Sequence, residues 1–273
     1  MLFDVNAISQ DRKEKIAKGA LKYIAIKESF DMNITLQENE IFKKWFMDFY
    51  QLKESFKTPA MQLVFYELFQ SIRELYNGRE SQSTDNSIVY KYICTIISRV
   101  AGRTEKSFSS KILHTLNADS PIIDSNVLDE LKISKDPQTV NDAVVIYNNL
   151  LSEYTKNGGL LDSASQAKWF NAFDDLCKSW IIEILKNGYY EQKKRIKSIL
   201  KDICKAIKLK ESTNKIEQLE SELEIEKFFE QKIKRETLLD DINNKFGIDI
   251  MNLIENISNV KKIDFCLWAK NSK

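Results

Sequence analysis

The chain has 273 residues, 43% of them hydrophobic, enough to build one large core or two smaller ones. Only 7 glycines and 3 prolines occur among long Glu/Lys/Leu/Ile stretches, which argues against a strand-rich fold and for an all-α one. The net charge of +1 is lower than dedicated DNA binders usually carry, so any DNA contact requires positive charge gathered on one face.

No run of apolar residues is long enough for a membrane span, and the start, MLFDVNAISQDRKEK, lacks the apolar core of a signal peptide. The four cysteines (Cys94, Cys177, Cys204 and Cys266) lie far apart, no Cys-x-x-Cys pair exists, and there is a single histidine. This pattern predicts buried thiols in a reducing, cytoplasmic setting, with no metal site and no cofactor.

Apolar residues at helical spacing predict helices over 11–30 and 38–57. Pro59 interrupts, and a strongly amphipathic helix follows over 61–76. The polar stretch 77–87 reads as a loop and 88–100 as a buried helix. AGRTEK, 101–106, breaks that helix, and 107–117 restarts it with Ser107 as N-cap. A tight connection, ADSPIID, leads to a short helix from Ser125 through Leu131. The next helix is predicted over 136–154, with Asp136 as cap and Pro137 at the first helical position, ending at the glycine pair 158–159. Another covers 164–186, with Trp169, Phe173, Leu176, Trp180 and Ile184 in phase; its aromatic stripe reads as core.

Near residue 187 the character changes. Residues 186–210 hold nine Lys/Arg against two acids, and residues 211–230 hold seven Glu against two Lys. Ile196, Ile199, Ile203 and Ile207, then Ile216, Leu219 and Leu223, keep helical spacing. This predicts a basic helix and an acidic helix packed antiparallel about a turn at 211–214. A last helix covers about 250–258 and KKIDFCLWAK closes the chain. The reading is a helical domain, 1–186, and a helical hairpin extension, 187–273, whose C-terminal segment packs back on the first.

The stretch 88–131 reads helix, glycine-containing hairpin, helix, Pro-Ile-Ile-Asp connection, helix. It resembles the helix-hairpin-helix DNA glycosylase superfamily, which includes endonuclease III and the 8-oxoguanine glycosylases. SFSSKILHTLN followed by PIIDS, and the closing KKIDFCLW, are similar to bacterial 8-oxoguanine-glycosylase-like proteins. The resemblance implies a catalytic carboxylate at Asp124 and a lyase nucleophile at Lys106 or Lys111. It also implies a phosphate-gripping hairpin around Gly102, Arg103 and Ser107, with His114 close to phosphate, and Trp268 as base-stacking ring. The basic run Lys193, Lys194, Arg195, Lys197, Lys201 and Lys205 offers a further phosphate contact, or a solvated face balanced by the Glu-rich helix.

Breaking an N-glycosidic bond builds positive charge on the sugar, which a carboxylate beside C1′ stabilises. As a helix N-cap, Asp124 is expected to stay ionised. An attacking lysine must be uncharged, which calls for desolvated surroundings. The function implied is a DNA-repair glycosylase, a hydrolase with lyase activity, acting on a damaged or modified base in DNA. The alternatives are a non-catalytic helix-hairpin-helix DNA-binding protein and a helical interaction scaffold that contacts a partner, or itself, through 190–245.

Overall fold

The computed structural model describes residues 8–50, 58–77, 85–102, 104–133, 137–159, 163–231 and 237–271. These contain thirteen helices and no strand: α1 Gln10–Phe30, α2 Glu40–Phe49, α3 Pro59–Asn77, α4 Asn86–Ala101, α5 Lys106–Leu116, α6 Ser125–Glu130, α7 Val140–Gly159, α8 Ser163–Asn187, α9 Tyr190–Glu211, α10 Lys215–Glu230, α11 Leu238–Phe246, α12 Ile250–Glu255 and α13 Asn259–Asn271. Among the described residues, no helix is long and apolar enough to cross a membrane.

The chain forms two compact units. One comprises Met1–Arg12, Leu68–Phe173 and Ser258–Lys273; the other comprises Lys13–Glu67 and Asp174–Ile257. This division differs from a single cut at residue 187. Residues 13–67 group with α9 and α10, and α9 carries polar anchors for α2. Asp202 accepts the Trp45 indole N–H at 2.9 Å and pairs with Lys44 at 2.6 Å, while Arg195 pairs with Asp48 at 3.0 Å. The closing segment 258–273 groups with 68–173.

In the unit containing α9, Asn39 caps α2 by accepting the Phe42 N–H at 2.9 Å, and its amide donates to the Ser29 carbonyl at 2.6 Å. That one side chain fixes the turn between α1 and α2. Rings from Phe42, Phe46, Phe65 and Tyr66 meet in the core, Phe46 stacked on both Phe42 and Phe65, with Tyr66 edge-on to Phe42 and tilted against Phe65. α9 and α10 run antiparallel, as their charges predict. Lys197 donates to the Phe229 carbonyl at 3.5 Å, while Lys201 and Lys205 pair with Glu226 at 3.0 and 2.6 Å. Ile225 and Phe228 are buried, but Ile216, Leu219 and Leu223 are 70%, 59% and 55% exposed. The helical spacing of these three therefore reflects an outward stripe, not core.

In the other unit, α4 packs against α5 and α7, and α6 packs against α13. Tyr90 of α4 lies flat on Tyr147 of α7, with centroids 4.4 Å apart and planes 11° apart, and its hydroxyl donates to the Lys106 carbonyl at 3.1 Å. Trp169, Phe173 and Phe265 form a stacked series of rings, with successive centroids 6.5 and 6.0 Å apart. The hairpin between α4 and α5 turns at Gly102, whose φ of +70° lies in the left-handed region that glycine enters without a Cβ penalty.

Two helix starts differ from the sequence reading. α5 begins at Lys106, with Glu105 at the cap position, so Ser107 lies inside the helix. The Glu105 carbonyl already accepts both the Ser109 N–H, at 3.0 Å, and the Ser109 hydroxyl, at 2.8 Å, closing the first turn one residue early. α7 begins at Val140, so Pro137 precedes the helix, and Asp136 lies outside the described residues. Thr139 and Asp142 cap this start instead. The Asp142 carboxylate accepts the Thr139 N–H at 2.8 Å, and Thr139 Oγ1 accepts the Asp142 N–H at 3.2 Å.

Candidate functional site

The connection between α5 and α6 carries the site. Asn117 ends α5, and Ser120 through Ile123 are buried. Such a buried non-helical segment must find partners for its backbone groups. Three side chains supply them. His114, fully buried, places Nδ1 2.6 Å from the Ser120 carbonyl oxygen. Ser110 Oγ accepts the Ile123 N–H at 2.9 Å. Ser258 Oγ, just before α13, donates to the Ala118 carbonyl at 2.8 Å. The same Ser258 oxygen accepts the Lys261 N–H at 3.2 Å, so one hydroxyl caps α13 and docks it onto the connection.

Asp124 follows directly. It is the N-cap of α6, accepting the Asn126 N–H through Oδ1 at 2.8 Å, and it is half-buried. Burial dominates its chemistry and raises the carboxyl above the ordinary carboxylate range; the Asn126 N–H opposes this, Asp264 adds to it, and Lys111 and Lys261 oppose it. The capping N–H favours the anion, as expected of a helix start, but burial outweighs it. α6 has six residues, and one capping N–H does not offset the loss of water.

Lys111, on α5, is the amine most strongly coupled to Asp124. Burial lowers it below the ordinary lysine range, against the pull of Asp124, and Lys261 lowers it further. Lys106 heads α5, half-buried, with its carbonyl taken by Tyr90. Of the two candidate amines, Lys111 is the one whose charge acts on the carboxylate.

A second acid–base pair completes the cluster. Lys261 and Asp264 of α13, 2% and 6% exposed, form an ion pair at 2.6 Å. The Tyr154 hydroxyl of α7, also buried, donates to the other Asp264 oxygen at 3.0 Å, and the Lys261 ammonium lies 4.8 Å from the Phe265 ring centroid. Sequence reasoning did not select Lys261, Asp264 or Tyr154. The available signal was a Lys and an Asp three residues apart in KKIDFCLW, with the Asp inside its apolar part, where a helix otherwise reads as buried. Trp268 stands on the same helical face as these two by register and is half-buried.

The remaining predicted contacts fall elsewhere. Gly102 is exposed at the hairpin tip, Ser107 is half-buried within α5, and Arg103 lies outside the described residues. His114 is spent on the connection, with its ring in the interior and not at a surface where phosphate could lie. Lys193 donates to the Lys186 carbonyl at 2.7 Å, Arg195 to Asp48, and Lys197 to the Phe229 carbonyl, while Lys194 is exposed. These four belong to the unit of α9, whereas Lys111, Asp124, Lys261 and Asp264 belong to the unit of α4–α7 and α13. All four cysteines are buried and none is in a disulfide, and no group of side chains among the described residues has the makings of a metal site.

Comparison of the chain with protein-family models, curated proteins and solved structures gives no match.

Proposed function

We propose that the protein is a DNA glycosylase with lyase chemistry, in which Lys111 is the nucleophile and Asp124 the carboxylate beside the sugar carbon. The observation that carries this reading is the pairing of a burial-lowered amine with a burial-raised carboxyl on either side of one pinned connection. Their proton affinities are drawn toward each other, so a proton passes from the Lys111 ammonium to Asp124 at less cost than between free side chains. The Lys111 amine then attacks C1′. The C1′–N bond breaks and the base leaves with its electron pair, taking up a proton. The nitrogen on C1′ then loses its proton as the C1′–O4′ bond opens and O4′ takes up a proton, giving an imine that permits loss of a C2′ proton and elimination of the 3′ phosphate. The base must first leave the duplex, and Trp268, on the face of Lys261 and Asp264, is the ring proposed to receive it. The exposed backbone at Gly102 is suited to a phosphate contact that positions without reading sequence.

Borohydride trapping tests this on duplex oligonucleotides carrying 8-oxoguanine, uracil, thymine glycol or an abasic site. A covalent protein–DNA adduct is expected, lost in Lys111→Ala and retained in Lys106→Ala. Absence of adduct and of abasic product on every substrate overturns the reading; DNA binding without either product instead favours the non-catalytic DNA-binding alternative.

A second reading, a helical scaffold that self-associates through α10, is favoured by the exposed Ile216, Leu219 and Leu223. Sedimentation that is concentration-dependent in the native protein, and monomeric in Leu219→Glu/Leu223→Glu, would support it.

A further inference from the structure

We propose that α10 is a parallel, two-stranded coiled-coil seam between two copies of this chain, its register set by Lys215–Glu220 and Glu222–Lys227 pairs from one copy to the other. This deepens the self-association reading, on which it rests, and is independent of the glycosylase reading.

Ile216, Leu219 and Leu223 are spaced three and then four residues apart, the a, d and a positions of a heptad. They stand exposed on the face of α10 opposite buried Ile225 and Phe228. The helix that presents them is already held in place. Asn214 caps it, accepting the Ile216 and Glu217 N–H groups at 3.0 Å each, and Lys201 and Lys205 of α9 grip Glu226. A second copy therefore meets a pre-ordered helix, without the ordering cost that a free peptide bears. The seam is short. The next d position is Glu226, committed to α9, and the next a position, Glu230, is the last residue of the helix. An interface of this size supports a reversible, concentration-dependent dimer.

The charges of α10 select the occupant. Away from the seam, Glu217 accepts the Thr213 N–H and hydroxyl at 2.8 Å each, and Glu224 pairs with Lys245 at 3.3 Å. Beside the seam the pattern is different. Lys215 and Glu222 flank it at the g positions, Glu220 and Lys227 at the e positions, and these four have no ion-pair partner among the described residues. In a parallel pair of strands, each g residue faces the e residue five positions on in the other strand. Lys215 of one copy then faces Glu220 of the other, and Glu222 faces Lys227. Both pairs are attractive, and the two-fold symmetry makes each of them twice. An antiparallel alignment that packs Leu219 on Leu223 sets Glu220 nearest to Glu220 and Glu222 nearest to Glu222, both repulsive. The same helix is thus complementary to itself in one direction only.

Sedimentation of the full chain over a concentration series tests this with two charge variants. Lys215→Glu/Lys227→Glu and Glu220→Lys/Glu222→Lys each place like charges across the seam, and each should weaken self-association about tenfold or more. An equimolar mixture of the two restores every opposite-charge pair and should dimerise as the native protein does. Direction is read separately from Ile216→Cys under mild oxidation. Parallel strands bring the two a positions together and should give an intermolecular disulfide, whereas the antiparallel alignment separates them by about 15 Å. The native protein, whose cysteines are buried, is the control for that step. A native chain that stays monomeric throughout overturns both the self-association reading and this inference. A dimer without the Ile216→Cys disulfide, or one indifferent to the charge variants and their mixture, leaves self-association standing and overturns the parallel seam.

Discussion

Ser110 and Ile123, thirteen residues apart in the chain, meet through a hydroxyl that accepts a buried backbone N–H at 2.9 Å. The residues that follow them are Lys111 and Asp124. One hydrogen bond therefore sets the register between the helix that carries the amine and the turn that carries the carboxyl. The Ser110 hydroxyl in turn donates to the Ser107 carbonyl at 2.8 Å, so its rotamer is fixed from both sides.

Ser110→Ala should leave the Ile123 N–H without its partner, at a cost of about 1–3 kcal/mol in stability. The rate of borohydride trapping should fall by about tenfold or more, because displacement of reacting groups by a fraction of an ångström is expensive in a pre-organised site. Urea titration and single-turnover trapping measure the two effects. A variant as stable and as active as the native protein would show that the connection holds its shape without this bond.

The α13 ion pair should respond unequally to single and double replacement. Asp264→Ala strands the Lys261 ammonium at a site 2% exposed and should destabilise by about 3–5 kcal/mol. Lys261→Met/Asp264→Leu, which removes both charges and keeps volume, should cost about 1–2 kcal/mol, chiefly from the lost Tyr154 hydrogen bond. Urea midpoints of the two variants should differ clearly, the double replacement lying nearer the native protein.

Asp48 and Asp124 should give opposite pH signatures. Burial pushes Asp48 up, but Lys22 and Arg195 outweigh it and hold the carboxyl below the ordinary range. Its stabilising share is present above the unfolded value and lost as pH falls through the folded one. Asp124 is raised, so its share is fully present below the unfolded value and lost as pH rises through the folded one. Melting temperature followed between acid and neutral pH should therefore show the advantage of the native protein over Asp48→Asn shrinking toward acid. Against Asp124→Asn the same advantage should grow toward acid. A common slope for both would contradict the burial of Asp124.

Gly102→Ala should destabilise by about 1–2 kcal/mol from backbone strain alone, because a Cβ there meets nothing within 4 Å while φ is +70°. Gly102→Asn, which tolerates left-handed backbone better, should recover part of the loss. If the hairpin grips phosphate as proposed, DNA affinity should fall in the same order as stability, measured by fluorescence anisotropy at fixed salt.

What the sequence reading captured was local. Helical spacing, the hairpin glycine at 102 and the helix start after Asp124 are each written within a few residues, and the opposite charges of α9 and α10 announce their pairing. What it missed depends on distant partners. Ile216, Leu219 and Leu223 have core spacing, yet α10 turns them to solvent because Ile225 and Phe228 supply its buried contacts. The upward shift of Asp124 comes first from burial, with Asp264 of α13 adding to it, and the docking residue of α13, Ser258, lies 140 positions from Ala118. Lys261 and Asp264 were visible as charges at and within the start of an apolar run, but only the folded chain shows that they pair with each other and with Tyr154.

The clamp between Ser258 and Ala118 also fixes when the amine–carboxyl pair is assembled during synthesis. A ribosome adding about 5–20 residues per second needs on the order of ten seconds to span that separation. Throughout that interval Lys111 and Asp124 exist on the nascent chain while the Ala118 carbonyl still lacks the Ser258 hydroxyl. The connection that carries Asp124 is thus completed only when α13 has left the exit tunnel and docked.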